Sequence, residues 1–201
     1  GRDLSLLARY HELGARYITL AHGGHNDIAD SATPRDNLDS GPAEHGGLSE
    51  YGEEVVAEMN RLGIMVDVSH ISKDAALHAM RVSRAPVIAS HSSTRAVADH
   101  PRNMDDETLL ALRENGGVIH IVALGGYVKT RPEFDAARDA LWAEMGITGR
   151  ADFQNLTADQ RAGYERRMAE LDEQYPPATV ADFVDHIDHA VRVIGIDYVG
   201  I

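Results

Sequence analysis

Two hydrophobic patterns alternate along the chain: short apolar runs that suit buried strands, and 3.6-residue spacings that suit amphipathic helices. The apolar runs predict strands at residues 16–20, 64–68, 86–89, 118–122 and 198–201. The helical spacings predict helices at residues 4–13, from Ser49, from Ser72, from Asp105 or Asp106 to Gly116, and from Thr179 to 194. Because strands and helices take turns, the pattern predicts an α/β fold with a parallel sheet.

Two α/β architectures fit five such strands, a (β/α)8 TIM-type barrel and a doubly wound sheet. No glycine-rich phosphate loop follows a strand, which weakens the dinucleotide-binding alternative. A closed barrel takes roughly 250 residues, so we expect these 201 residues to cover only a central part of one. The charged segment 129–178 breaks the alternation and predicts a helical insertion within that partial barrel.

The composition excludes several classes of partner and limits the residues that could bind a metal. The net charge is −13, without a Lys/Arg cluster, which argues against nucleic acid and anionic membrane as partners. No apolar run approaches the ~20 residues that span a bilayer, and residues 1–4 do not resemble a signal peptide, so the compartment stays open. Cysteine is absent and histidine occurs 11 times, so a metal site must use His, Asp or Glu.

Histidines follow three different predicted strands: His22, His70 and His91. The carboxyl ends of barrel strands converge on one face, so these side chains are expected to meet around a metal ion. The alternatives are a plain surface loop for His22, a local backbone contact for His70 and a polar turn for His91. His120 lies within a strand and suits a core position. The remaining candidates are expected to be solvated: His11, His45, His78, His186 and His189.

Arg102 lies in the polar loop 99–103. Its guanidinium could offer two parallel donors to a carboxylate. Spacing alone favours a surface arginine beside Asp105 and Asp106.

Three stretches together carry a family resemblance. They are 60–72 (NRLGIMVDVSHIS), 83–93 (SRAPVIASHSS) and 100–106 (HPRNMDD). They resemble the renal dipeptidase (membrane dipeptidase) family, zinc peptidases of the amidohydrolase superfamily. The similarity extends over about residues 1–122, and hardly at all over the predicted insertion.

The resemblance implies a (β/α)8 barrel that hydrolyses dipeptides with a hydroxide bridging two Zn²⁺ ions. In that family the positions of His70 and His91 hold one zinc, that of His22 stabilises the oxyanion, and that of Arg102 binds the substrate carboxylate. The family's His-x-Asp pair, bridging Glu and catalytic Asp have no counterpart in these 201 residues, so we expect a longer polypeptide. A homodimer is compatible with this reading.

Two other functions stay open. One is a different amidohydrolase reaction on the same site, such as cleavage of a lactam or an N-acyl amino acid. The other is a non-catalytic homologue that has lost its metals.

Overall fold

Strands and helices alternate from the amino end of the chain. The computed structural model describes residues 2–35 and 41–201; residue 1 and residues 36–40, part of the predicted loop before Ser49, lie outside the described residues. The first half contains α1 (Ser5–Glu12), β1 (Tyr17–Thr19), α2 (Glu50–Leu62), β2 (Met65–Asp67), α3 (Lys73–Val82), β3 (Ile88–Ser92), α4 (Asp106–Asn115) and β4 (Val118–Ile121). The second half contains α5 (Gly125–Val128), α6 (Pro132–Glu144), α7 (Arg150–Gln154), α8 (Ala158–Gln174), α9 (Val180–Ile194) and β5 (Val199–Gly200).

The sheet is parallel, and its strands lie side by side in chain order, β1-β2-β3-β4-β5. A doubly wound sheet reverses its strand order at a switch point, whereas a barrel adds each strand to the same edge. Within the described residues the order therefore has the progression of a barrel and not that of a doubly wound sheet.

Side-chain caps start the helices where the sequence predicts. Ser49 and Ser72 accept hydrogen bonds from the backbone N–H groups of Gly52 and Ala75. Asp105, the N-cap of α4, accepts one from Thr108. Thr179 at the start of α9 completes a capping box. Each cap satisfies an N–H group that the first helical turn leaves without a partner.

One face of each flanking helix packs against the sheet. In α2 this face carries Val55, Val56 and Met59, all at most 3% exposed. Gly52, on the same helix, lies so close to the preceding loop that a Cβ there would be 2.2 Å from the carbonyl oxygen of Ile28. The loop that begins after β1 is thereby held against α2.

His186 corrects one expectation. It was expected to be solvated, but it is fully buried in α9. Its Nδ1 lies 3.0 Å from the backbone nitrogen of Thr94, and its Nε2 lies 2.9 Å from the carbonyl oxygen of Val128. The apolar spacing of α9 marks it as a packed helix, and this polar residue lies on the buried face because both ring nitrogens find partners there.

The segment 129–178, predicted as a helical insertion, contains α6, α7 and α8. α6 and α8 pack against each other, with Arg167 bonded to Glu144 at 2.7 Å. None of the described helices is long and apolar enough to cross a membrane.

Candidate metal and substrate site

The three histidines that follow separate predicted strands come together in the structure. The Nε2 atoms of His70 and His91 are 2.7 Å apart. The ring of His22 stacks on that of His70, with centroids 4.0 Å apart and an interplanar angle of 27°. His22 is exposed to solvent, whereas His70 and His91 are partly buried. The expected convergence of strand ends is therefore present.

His70 follows β2 in an unusual backbone conformation. Its φ is 71°, the one positive value among the described residues other than glycine. The left-handed region is sparsely populated by residues with a Cβ, and such strain is concentrated at functional sites. Its carbonyl oxygen accepts the N–H of Ala32 at 2.8 Å, which ties the turn to the loop after β1.

The sequence analysis placed His91 after a strand, but in the structure His91 lies inside β3. The strand continues to Ser92 because its pairing with β4 contains an irregularity: Ala89 pairs with Ile119, but Ser92 pairs with Ile121. One extra residue on β3 is a β-bulge, which redirects side chains. On a regular strand Ser90 and His91 would point to opposite faces. Here Ser90 Oγ lies 2.7 Å from Nδ1 of His91.

Asp67, the last residue of β2, is a buried carboxylate that the sequence analysis missed. Its Oδ1 accepts the N–H groups of Ser69 and Ser90, each at 3.0 Å. Its Oδ2 accepts the hydroxyls of Thr19 and Ser90, each at 2.6 Å. An acidic residue within the apolar run 64–68 was the available signal, because a buried carboxylate needs such partners.

Electrostatics keep the two inner imidazoles neutral. Burial, reinforced by the positive charge of Arg102, lowers the pKa of His70 from 6.5 to about 4. The same two causes, in the same order, lower the pKa of His91. Neutral imidazole is the form of histidine that binds metal ions.

Arg102 is buried, only 4% exposed, so the alternative of a surface arginine was wrong. One terminal nitrogen donates to the hydroxyl of Tyr127 at 3.0 Å, and the other donates to the carbonyl oxygen of His91 at 3.2 Å. Its Nε has no hydrogen-bond partner among the described residues. Burial lowers the pKa of Arg102, and nearby Tyr127 and Asp67 oppose that shift.

The charge of this guanidinium is only partly offset: Asp67 attracts it but, among the described residues, forms no ion pair with it. Across residues 2–35 and 41–201, the structure contains no ion pair that involves Arg102. A buried charge without a counterion is costly. The position therefore suits an anionic ligand, and Tyr127 beside it is a second residue that the sequence analysis missed.

Comparison with known proteins identifies the family. The family model for membrane dipeptidase (peptidase family M19) matches residues 1–201. The chain belongs to the membrane dipeptidase family. Dipeptidase aclJ of Aspergillus oryzae is 35% identical over 201 residues, which is all of this chain and 36% of that protein.

Solved structures agree with the membrane dipeptidase assignment. The probable dipeptidase PvdM from Pseudomonas aeruginosa superposes with a TM-score of 0.80 at 32% identity, over 100% of this chain and 53% of that one. A metallo peptidase from Rhodobacter sphaeroides, liganded with a phosphinate mimic of the dipeptide L-Ala-D-Ala, superposes with a TM-score of 0.69 at 25% identity. The match covers 100% of this chain and 45% of that one. The predicted fold class, part of a TIM-type barrel, is confirmed. The chain spans 36% to 53% of the length of aclJ and PvdM.

The metal expected for a membrane dipeptidase can be tested against the residues present. Two neutral imidazole nitrogens point at the same place, which suits zinc. In the part of the chain that the structure describes, no three His, Cys, Asp or Glu side chains are grouped to hold a metal ion. His70 and His91 thus fit as part of a zinc ligand set, fewer than the three protein ligands of a typical catalytic site.

Proposed function

We propose that the complete protein is a zinc-dependent dipeptidase. One observation carries this proposal: the paired Nε2 atoms of His70 and His91 lie beside the buried Arg102, which contacts the backbone of His91 and forms no ion pair within the described residues. A metal site next to a carboxylate site fits a substrate whose scissile amide is close to its free C-terminus, and a dipeptide has that form. The similarity to a peptidase liganded with a dipeptide mimic supports the same substrate class.

His70 and His91 would hold zinc through their Nε2 atoms. Two bound Zn²⁺ ions, the number we expect in the complete chain, would lower the pKa of water and polarise the substrate carbonyl. The protein's own contribution is to keep both imidazoles neutral and to hold them in position. Burial and the charge of Arg102 keep the imidazoles neutral. The turn after β2 and the bulge in β3 hold them in position.

His22 would stabilise the oxyanion formed during attack on the amide. Its ring is exposed to solvent while stacked on His70, so it can meet a substrate directly beside the metal. A ring N–H pointing at the carbonyl oxygen would offer a donor where negative charge develops. Removing one such donor typically costs about 10²–10³ in kcat.

Arg102 would bind the C-terminal carboxylate of the substrate. The absence of an ion pair to Arg102 within the described residues leaves its charge available to a ligand. Because Arg102 is bonded to the carbonyl oxygen of His91, the carboxylate would be held close to the metal. That short distance would limit the substrate to one residue after the scissile bond.

The test uses the complete protein and compares the rate of hydrolysis of each dipeptide with that of the same dipeptide carrying a C-terminal amide. We expect about two zinc ions per chain by elemental analysis, and hydrolysis of the dipeptide that falls at least tenfold for the amide. Cleavage of lactams or N-acyl amino acids but not dipeptides would establish the alternative amidohydrolase reaction. Failure to retain zinc, together with no hydrolysis of any amide, would overturn the proposal in favour of a non-catalytic homologue. Light scattering on the same sample would decide whether the protein is a homodimer.

A further inference from the structure

The buried carboxylate of Asp67 is connected to the ring of His91 through a single hydroxyl. Ser90 Oγ lies 2.6 Å from Oδ2 of Asp67 and 2.7 Å from Nδ1 of His91. Asp67 itself is completely buried, so water does not compete for these bonds. The three groups form one chain, carboxylate to hydroxyl to imidazole.

Counting protons along this chain fixes the direction of each bond. The described residues make four hydrogen bonds to the Asp67 carboxylate, and all four come from donors, two amide N–H groups and two hydroxyls, as an acceptor-only carboxylate requires. Ser90 has one hydroxyl proton, and it donates that proton in its hydrogen bond to Asp67. The oxygen of Ser90 can therefore only accept from Nδ1 of His91. His91 then carries its proton on Nδ1, and Nε2 has the free lone pair.

We propose that Asp67 is a positioning residue that acts through Ser90 to hold His91 in the Nδ1–H tautomer, with Nε2 available to the metal. The inference rests on the proposed function, which assigns His91 as a zinc ligand. The carboxylate and the hydroxyl do not touch the substrate. They set which nitrogen of the ring is the donor atom, and the bulge in β3 makes the contact with Ser90 geometrically accessible.

The tautomer can be measured without zinc. Long-range ¹H–¹⁵N correlation spectra of the metal-free complete protein, labelled at histidine, distinguish the two tautomers, and the loss of signals in His91→Gln assigns the ring. We expect the Nδ1–H form in the wild type. We expect Asp67→Asn to reverse it, since the amide oxygen must face the two N–H donors and its NH₂ then donates to Ser90. The Ser90 hydroxyl would in turn donate to Nδ1.

Zinc affinity gives an independent readout, by competition with a chelator. Ser90→Ala should weaken zinc binding about 10- to 100-fold, the usual effect of losing a group that supports a metal ligand. Ser90→Thr, which keeps the hydroxyl, should restore most of the affinity. Ser92→Ala is the matched control: Ser92 is a buried serine on the same strand whose hydroxyl bonds Ser69 and neither Asp67 nor the His91 ring. Ser92→Ala should leave the His91 tautomer unchanged and the zinc affinity within about a factor of three of the wild type.

The outcomes separate the two proposals. A wild-type tautomer and zinc affinity in both Ser90→Ala and Asp67→Asn would overturn the positioning role while leaving the proposed function intact. If the tautomer is reversed in Asp67→Asn but the wild-type protein binds no zinc, the hydrogen-bonded chain is supported and the proposed function is overturned. Should Asp67→Asn fail to fold, Ser90→Ala and Ser90→Thr decide the question alone.

Discussion

The Nε2 atom of His70 lies 2.7 Å from the Nε2 atom of His91, although the two residues are 21 positions apart and belong to different βα units. At this distance one Nε2 carries a hydrogen and donates it to the other, and the two atoms would move apart to bind one tetrahedral zinc ion. Because burial lowers the pKa of both rings, zinc binding requires that the ring with the Nε2 hydrogen move it to Nδ1, and not that a charged imidazole lose a proton.

Removing one of these rings should remove the metal. His70→Asn is the sharpest variant, since asparagine tolerates the left-handed backbone that His70 adopts. We expect zinc affinity to fall by more than about 100-fold, beyond the loss from a supporting residue, with dipeptide hydrolysis lost in parallel. His189→Asn, a change at a histidine on α9, is the control. Zinc content at the wild-type level in His70→Asn would show that the metal is held elsewhere.

Replacing Arg102 by lysine should weaken substrate binding more than turnover. Lysine keeps the charge but loses the planar pair of donors. One lost charge-assisted hydrogen bond, about 1.5–3 kcal/mol, corresponds to an increase in KM of roughly 10- to 100-fold. The dipeptide amide serves as an internal control, because its poor hydrolysis should hardly change in the variant. Equal losses for acid and amide would mean that Arg102 does not bind the carboxylate.

His186→Leu should destabilise the fold without altering the chemistry of the site. The substitution leaves the buried N–H of Thr94 and the carbonyl of Val128 without partners. Each unsatisfied buried group costs about 1–3 kcal/mol, so we expect the free energy of unfolding in urea to fall by about 2–6 kcal/mol. His189→Gln on the same helix, which breaks a bond to the mostly exposed Asp106, should change it by less than about 1 kcal/mol. Similar losses in the two variants would contradict the assignment.

Acid should weaken the start of α4 through Asp105. Burial raises the pKa of this carboxyl, but hydrogen bonds from Lys73 and Thr108 outweigh it, and the pKa lies below its ordinary 3.8. A lowered pKa in the folded state gives stability that is complete above the unfolded value and is lost as the pH falls through the folded one. Lys73 also bonds Glu107, whose side chain is 68% exposed.

Asp105→Asn isolates this charge, because asparagine is also a good N-cap. The difference in unfolding free energy between wild type and variant should be largest near pH 6 and shrink below about pH 4. Glu107→Gln, which removes the exposed partner of Lys73, should show a smaller dependence on pH. A difference for Asp105→Asn that is constant from pH 6 to pH 3 would show that Asp105 stabilises α4 only as a cap.

The sequence predicted what depends on local rules. Capping residues such as Ser49 and Asp105 have short-range partners, so they locate helix starts without any knowledge of the fold. The meeting of His22, His70 and His91 was also predictable, because parallel strands of a barrel end on one face. Their ligand and catalytic roles stay predictions.

Other features depended on contacts that no local pattern contains. The burial of His186 requires acceptors and donors from the loop after β3 and from α5, far away in the chain. The burial of Arg102 depends on Tyr127, which lies 25 residues later. The extension of β3 beyond residue 89 depends on the bulge, and a bulge is a property of two strands together and not of one sequence run.

The left-handed backbone at His70 sets stability against the metal-binding role that we propose for this residue. A residue with a Cβ held at such a φ costs about 1–3 kcal/mol, and glycine adopts the same conformation without that cost. A library selected for heat resistance alone would therefore enrich glycine at position 70 and discard the imidazole. Directed evolution of a more robust form of this protein needs a screen for turnover at every round.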